Sequence, residues 1–302
     1  MKLPASRLDR RARPWRHAAA SIFAGLLVAC AGSDGQRDNR VALVIGNGGY
    51  DQVPALRNPT NDAADMCAAL RRLGFRALCH TDLRSRAEFD AAIQDYVALL
   101  TPQSVGLVYY SGHGVQVGNA NYLIPTQAQL VTASDDPLPV LYGVDTLFGR
   151  LHQRPTRLQF VILDACRNEL FDTSPRRIAG RGASAAGAGS LMRALGSLPQ
   201  AAAGLAPIKD APPGTLVLYA TAAREAAFDG VGRNGPLTKH VLANIETRGL
   251  PLMDFVGRVI QGVESETQRS YHKRQTPYIY GSFSGRFCFA GCPGETDVPP
   301  MY

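Results

Sequence analysis

The sequence predicts an α/β domain of three layers, αβα, built on a mostly parallel central sheet. Three observations predict it. Val41–Ile45 is an unbroken apolar run of strand length, as expected of a strand buried on both faces, and Val105–Tyr110 and Gln159–Leu163 read as further strands, the last of them also buried. The stretches between them carry apolar residues at helical spacing, and the Gly-, Asn- and Pro-rich stretch Asn47–Pro59 and Gly74 mark junctions. Strands that alternate with helices imply parallel strands covered by helices on both sides.

The elements follow in order. Val41–Ile45 is the first strand, and the Gly-, Asn- and Pro-rich stretch from Asn47 to Pro59 is a loop. Asn61 or Asp62 is placed to cap a helix running to about Leu73, with Ala63, Met66, Ala69, Leu70 and Leu73 on one side. Gly74 ends it, and Phe75–Cys79 is a second strand. Ser85–Leu100 is a helix with Phe89, Ile93, Tyr96 and Leu100 in phase. The strand Val105–Tyr110 runs into Ser111-Gly112-His113-Gly114, and a hairpin pairs Val115–Val117 with Tyr122–Ile124 across Gly-Asn-Ala-Asn. Val144–His152 is a helix, and Gln159–Leu163 leads into Asp164-Ala165-Cys166-Arg167.

Residues 173–213 are dominated by Ala, Gly, Ser, Arg and Pro and read as a flexible linker between a larger part, 40–172, and a smaller one, 214–289. The smaller part holds a strand at Thr215–Ala220, helices at Leu237–Thr247 and Met253–Thr267, and a last aromatic strand from Tyr278 to Phe289. Residues 290–302 form a tail. No internal repeat is present.

Composition sets the class. Hydrophobic residues at 45% and charged residues at 19% allow a packed core. The formal charge of +7 does not mark a nucleic-acid binder. Lys2, Arg7, Arg10, Arg11, Arg13 and Arg16 against Asp9 place +5 of it before residue 30, leaving about +2 for the rest, with no basic stripe interleaved with aromatics. Residues 1–29 read as an export signal: a basic start, then an apolar run from Ala18 to Ala29, too short for a bilayer span of roughly 20 residues. Leu27-Val28-Ala29-Cys30 resembles the bacterial lipobox, which implies lipid on Cys30, a tether over 30–39, and an exported lipoprotein facing the periplasm or cell exterior. A plain secretory signal is the alternative.

The remaining cysteines follow from that placement. If Cys30 carries lipid and Cys166 does chemistry, Cys67, Cys79, Cys288 and Cys292 remain, an even set in a compartment where disulfides persist. Three pairings are open. The sequence-local one, Cys67–Cys79 with Cys288–Cys292, is favoured over the others and over four reduced thiols. Cys-x3-Cys without a nearby His is weak evidence for zinc, so no metal site is assigned.

The chemistry gathers at two strand ends. In an open parallel sheet, ligands bind outside the carboxyl ends of the strands. His113 lies past the third predicted strand and Cys166 past the fourth, so neighbouring strands would bring them within about 5 Å laterally. An imidazole that takes a thiol's proton makes it a strong nucleophile. Gly112 and Gly114 let backbone approach a substrate closely. The N–H groups of Gly114 and Cys166 are candidate oxyanion donors, each worth about 3–4 kcal/mol in enzymes where one has been removed.

Tyr110-Ser-Gly-His-Gly114 followed by Asp164-Ala-Cys-Arg167 resembles the large-subunit region of caspases and, more closely, of bacterial caspase-like proteins and metacaspases. The resemblance runs from Arg40 to about Phe289 and includes Val44-Ile-Gly-Asn47, Asn58-Pro-Thr-Asn-Asp-Ala63, Asn121-Tyr-Leu-Ile-Pro125, Asp229-Gly230 and Gln275-Thr-Pro277. It implies a caspase-like fold and a cysteine endopeptidase acting on peptide or protein substrates, with His113 and Cys166 as the dyad and Gly114 at the oxyanion position. Asp62, Ser111 and Asp164 fall where metacaspases line the pocket for the residue before the cut. Two carboxylates there imply cleavage after Arg or Lys. Without the resemblance, Asp62 reads as a helix cap and Asp164 as a structural carboxylate. Arg176, Arg177, Arg181 and Arg193 in the linker then become sites for self-cleavage.

Departures bear on the groove more than on the chemistry: Arg167-Asn168, Ala222-Ala-Arg-Glu-Ala226 and Tyr278-Ile-Tyr-Gly-Ser282 differ from many metacaspases. The sequence requires no cofactor. Calcium-dependent metacaspases use an acidic cluster, and Asp135-Asp136 is the one adjacent acidic pair in mid-chain. The alternative function is a catalytically silent caspase-like module that binds peptides or partners; loss of His or Cys would mark it, and both are present. No Gly-x-Ser-x-Gly elbow or phosphate-binding Gly-x4-Gly-Lys motif occurs.

Overall fold

The structure is a computed structural model that describes residues 39–130, 135–166, 190–198, 201–203, 205, 211–221, 227, 228, 230 and 232–293, with Cys166 and Ala201–Ala203 described by their backbone. The export signal, most of the tether, Cys30, Arg167-Asn168, Arg176, Arg177, Arg181, Ala222–Ala226, Asp229 and the end of the tail lie outside the described residues. Among the described residues no helix is long and apolar enough to cross a membrane.

Six strands make the main sheet: β1 (Arg40–Gly46), β2 (Arg76–Thr81), β3 (Val105–Val117), β6 (Leu158–Cys166), β8 (Thr215–Tyr219) and β9 (Tyr278–Gly281). Their order across the sheet is β2-β1-β3-β6-β8-β9. All neighbours are parallel except β8 and β9, which are antiparallel. The mixed, mostly parallel sheet with helices on both faces is the α/β architecture that the apolar runs predict.

Each central strand divides its side chains between two cores, as a period of two requires. Ala42, Val44, Leu107, Tyr109, Phe160 and Ile162 face α1 (Pro59–Arg72), α5 (Pro236–Ile245) and α6 (Leu252–Tyr271). Val41, Leu43, Ile45, Val108, Val161 and Leu163 face α2 (Arg86–Ala98) and α3 (Val144–His152). A fully buried Leu, Ile or Phe of this kind stabilises the fold by about 2 kcal/mol.

Three differences from the sequence expectations matter for the site. β3 does not stop at Tyr110 but runs on to Val117, and its last four residues pair with β4 (Ala120–Leu123), which in turn pairs with β5 (Tyr142–Gly143). The hairpin turn is therefore the pair Gly118-Asn119, opposite the tight Val117↔Ala120 register, and not four residues. Helix α1 begins at Pro59, with Asn58 as its N-cap. Proline fits there because its missing N–H has no intrahelical role at the first position. Asp62 is thus inside the first turn and caps nothing.

The segment read as a linker holds α4 (Ser190–Ser197) and β7 (Ala201–Ala203). β7 pairs antiparallel with Val115–Val117, the extension of β3. Leu191 and Leu195 of α4 are buried with Tyr50, Val53, Leu56, Val115 and Ile124 in a third apolar cluster beside the hairpin. Small residues hid this element, because the cluster needs just two leucines from it. The last strand is shorter than expected: Phe287 and Phe289 lie beyond β9 and pack into the lower core with Phe75 and Phe255. Disulfides join Cys67 of α1 to Cys79 of β2, and Cys288 to Cys292, which is the sequence-local pairing.

Candidate active site

The site is assembled at the carboxyl edge of the sheet, beginning with the end of β1. Gly46 has no side chain there because a Cβ would collide with the Pro59 carbonyl oxygen and lie 2.6 Å from the Ala63 Cβ. The bare position lets the first turn of α1 sit against the strand end. The next residue, Asn47, is fully buried. Its Nδ2 donates to the carbonyls of Leu83 (3.3 Å) and Ile124 (3.2 Å), and its Oδ1 accepts from the Leu83 N–H at 2.9 Å. Three long-range bonds from one side chain fix where the 47–58 loop leaves the sheet.

Register then aligns the candidate residues. Gly46, Ser111 and Asp164 are partners across β1, β3 and β6, and two residues further His113 stands opposite Cys166. Partners in adjacent strands are about 5 Å apart. The two residues separated by 53 positions in the chain are therefore neighbours in the sheet, each two residues beyond the paired Ser111 and Asp164.

Asp62 is brought to the same place by the first turn of α1. It is 2% exposed. Its Oδ2 accepts from Ser111 Oγ (3.2 Å), and its Oδ1 accepts from Asn234 Nδ2 (3.0 Å) and the Gly235 N–H (3.1 Å). The Asp164 Oδ2 accepts from Thr238 Oγ1 of α5 at 2.7 Å, and the Tyr109 hydroxyl bonds the same threonine. Burial pushes the Asp62 carboxyl up to about 7, and the nearby Asp164 charge adds to the rise; the bonds from Asn234, Gly235 and Ser111 oppose it. Burial likewise keeps the Tyr109 phenol protonated. One turn further out, Arg233 holds Asp65 through two bonds of 2.9 and 3.0 Å and lowers its pKa. The structure therefore brings Asp62, Ser111 and Asp164 together at one edge of the sheet.

His113 is 1% exposed. Its Nε2 lies 2.7 Å from the Pro54 carbonyl oxygen. A carbonyl only accepts, so the ring must carry its proton on Nε2, which makes Nδ1 the basic nitrogen. The Tyr50 ring packs on the imidazole with centroids 4.6 Å apart. Gly114 follows in β3, and a Cβ there would lie 3.1 Å from both the Ala165 Cβ and Leu205. Tyr50 and Pro54 belong to the loop Asn47–Pro59, whose sequence gives neither a role. A loop rich in Gly and Asn following a buried strand gives no sign of which residue will fold onto a histidine 63 positions away.

Asp136 is apart from this edge, with its Oδ1 accepting from the Leu138 N–H at 3.0 Å. Among the described residues no three His, Cys, Asp or Glu side chains gather as a metal ion would require.

Comparison with known proteins agrees with this architecture. A family model described as the Caspase domain matches residues 39–288. Mucosa-associated lymphoid tissue lymphoma translocation protein 1 of Homo sapiens is 31% identical over 139 residues, 45% of this chain and 16% of that protein; the Mus musculus homolog matches to the same extent. The matched stretch thus spans a small part of those curated relatives. The crystal structure of Caspase-1 from Spodoptera frugiperda superposes with a TM-score of 0.55 at 14% identity, covering 85% of this chain and 92% of that one, a likeness of fold. With the match running through nearly the whole sheet and all its covering helices, the chain belongs to the caspase domain family, whose members suggest a cysteine peptidase acting on protein substrates.

Proposed function

We propose that this protein is a cysteine endopeptidase that cuts after Arg or Lys, with Cys166 as nucleophile and His113 as its base. The observation that carries the reading is the placement of His113 opposite Cys166 in register, with its Nε2 tied to the Pro54 carbonyl. That tie leaves Nδ1 to exchange protons with the thiol.

In the first step, Nδ1 takes the thiol proton and the thiolate attacks the scissile carbonyl carbon. The carbonyl electron pair moves to oxygen, where the N–H groups of Gly114 and Cys166 are the donors. Collapse breaks the C–N bond, and the imidazolium returns its proton to the leaving amine. Water then attacks the thioester, giving a proton to Nδ1, and the second collapse releases the acid and the thiolate. The recess of Asp62, Ser111 and Asp164 receives the basic side chain before the cut. Asp164, the more exposed carboxylate, meets it, and Asp62 adds charge from behind.

Hydrolysis of Arg- and Lys-ended fluorogenic peptides, with and without calcium, by wild type and Cys166→Ala tests this. Turnover of basic peptides by wild type alone is expected. No turnover on basic, acidic or aromatic peptides, with peptide binding retained, would replace the reading with a silent binding module.

Self-cleavage belongs to the same proposal. Arg193 is exposed but sits within α4, where the backbone is already committed to helical bonds. The cuts are therefore expected at Arg176, Arg177 or Arg181. Intact mass of wild type against Cys166→Ala reads this out; matching fragments in both would sink it. The N-terminal reading, lipid on Cys30 of an exported protein, is likewise a proposal. The mass of the N-terminal fragment of protein purified from membranes checks it.

A further inference from the structure

We propose that Tyr50 is a positioning residue that holds His113 in its working orientation; the proposal rests on His113 being the base. Tyr50 touches the histidine in two ways. Its hydroxyl accepts from the His113 backbone N–H at 2.8 Å, and its ring lies against the imidazole at 4.6 Å with the planes tilted by 49°. Tyr50 is 7% exposed, so these contacts are shielded from water.

The hydroxyl also belongs to a closed loop of bonds. The Tyr110 hydroxyl donates to the His113 carbonyl at 2.7 Å, which commits its proton. The Tyr50 hydroxyl, 3.4 Å from that of Tyr110, is then the donor between the two. The ring of bonds runs from the His113 N–H through Tyr50 and Tyr110 back to the His113 carbonyl. Both peptide groups of the histidine are thus held by tyrosine hydroxyls, and the Ile124 N–H adds a further bond to the carbonyl at 3.1 Å.

Gly112 records the same arrangement from the other side. Its φ is +156°, and a Cβ there would lie 2.6 Å from each of the two hydroxyls. The space a side chain would take is occupied by the tyrosine pair. The 47–58 loop that carries Tyr50 also supplies the Pro54 carbonyl to Nε2, so one loop fixes the histidine at its backbone, its ring face and its far nitrogen. The loop is itself pinned: the Gly48 and Gly49 N–H groups donate to Asp82 Oδ1, each at 2.8 Å, and the Asp51 N–H donates to the Thr126 carbonyl. An imidazole free to rotate would spend part of its time away from the thiol, and small misplacements cost rate more than binding.

The test uses Tyr50→Phe, which removes the hydroxyl, and Tyr50→Leu, which also removes the ring face. Alkylation of Cys166 by iodoacetamide is followed against pH by mass spectrometry of the peptide that contains it, so Cys30 does not interfere. Kinetics on an Arg-ended peptide are run beside it. In wild type the thiol should titrate well below the ordinary value of about 8.5. Tyr50→Phe should move that titration upward and lower kcat by about tenfold with KM within about twofold, as expected for loss of the buried hydrogen bond to the His113 N–H, with the longer one to Tyr110 lost beside it. Tyr50→Leu should do more of both. If wild type titrates as an ordinary thiol, the dyad reading fails. If wild type is depressed and the Tyr50→Phe titration and kcat per folded molecule match it, Tyr50 is structural only and the proposal is overturned. Melting temperatures give the folded fraction, and Tyr50→Phe alone decides the matter if Tyr50→Leu does not fold.

Discussion

Replacing Asp62 by Asn should stabilise the protein more at pH 8 than at pH 5. The carboxyl is 2% exposed and is pushed from an ordinary 3.8 up to about 7. Asp164 and Tyr109 face it from the sheet, Asp65 lies one position along its own face of α1, and Arg233 sits beside Asp65 in the loop before α5. A folded pKa above the unfolded one means that stability is full at acid pH and is lost as pH rises toward and through 7. A gap of roughly three pH units corresponds to about 4 kcal/mol in all, of which about 3 kcal/mol falls between pH 5 and 8. Asn has no proton to lose, and its amide can keep the bonds from Asn234 and Gly235 while turning its NH2 toward Ser111 Oγ. The difference in melting temperature, variant minus wild type, should therefore grow by roughly 5–10 °C from pH 5 to pH 8 for a domain of this size. Scanning calorimetry at the two pH values measures it, and titrating groups that do not interact with Asp62 cancel in the difference. A difference that stays constant or shrinks with pH would refute the claim that Asp62 is held partly protonated.

The same carboxyl should shape substrate affinity: KM for an Arg-ended peptide is expected to fall as pH rises from 5.5 to 8, since the incoming cation must displace a proton. Asp62→Asn should flatten that slope and raise KM at pH 8 by about tenfold or more, and an unchanged slope would count against the recess as the binding site. Replacing Cys67 and Cys79 together by Ser should cost about 3 kcal/mol in denaturant unfolding, since the bridge closes a 12-residue separation, whereas the Cys288–Cys292 bridge should be worth about 2 kcal/mol. Gly46→Ala should destabilise by about 3 kcal/mol, because the new methyl meets the Pro59 carbonyl, and it should raise KM by displacing Asp62.

What was legible in the sequence is what burial alone determines. Val41–Ile45 and Phe160–Leu163 are apolar on both faces because both faces are covered, and their continuous runs say so. Val144–His152 is a helix over the residues its periodicity marks. The family pattern picked out His113, Cys166, Asp62, Ser111 and Asp164, and four of the five are held at one edge by strand register. The limits of β3 were not legible, because Ser-Gly-His-Gly has low strand propensity and is held extended by its neighbours β4 and β6. The start of α1 is not legible because Asn61 and Asp62 look like caps, yet Pro59 and the contact with Gly46 set the first turn earlier. The clasp of Tyr50 and Tyr110 is a tertiary contact between chemically unremarkable positions.

One consequence of β3 serving two sheets concerns where this chain tolerates change in length. The hairpin turn at Gly118-Asn119 is partly exposed to fully exposed, and the bond from the Ile124 N–H to the His113 carbonyl closes the ladder ahead of it. Added residues there would loop out and leave the histidine where it is. A single residue inserted between Val108 and Gly112 would instead rotate every later side chain of the strand to the opposite face, sending His113 into the layer of α2 and α3 and away from Cys166. Two sites fewer than about a dozen residues apart in the chain thus differ sharply: one accepts a grafted loop or tag, and the other accepts no change in length at all.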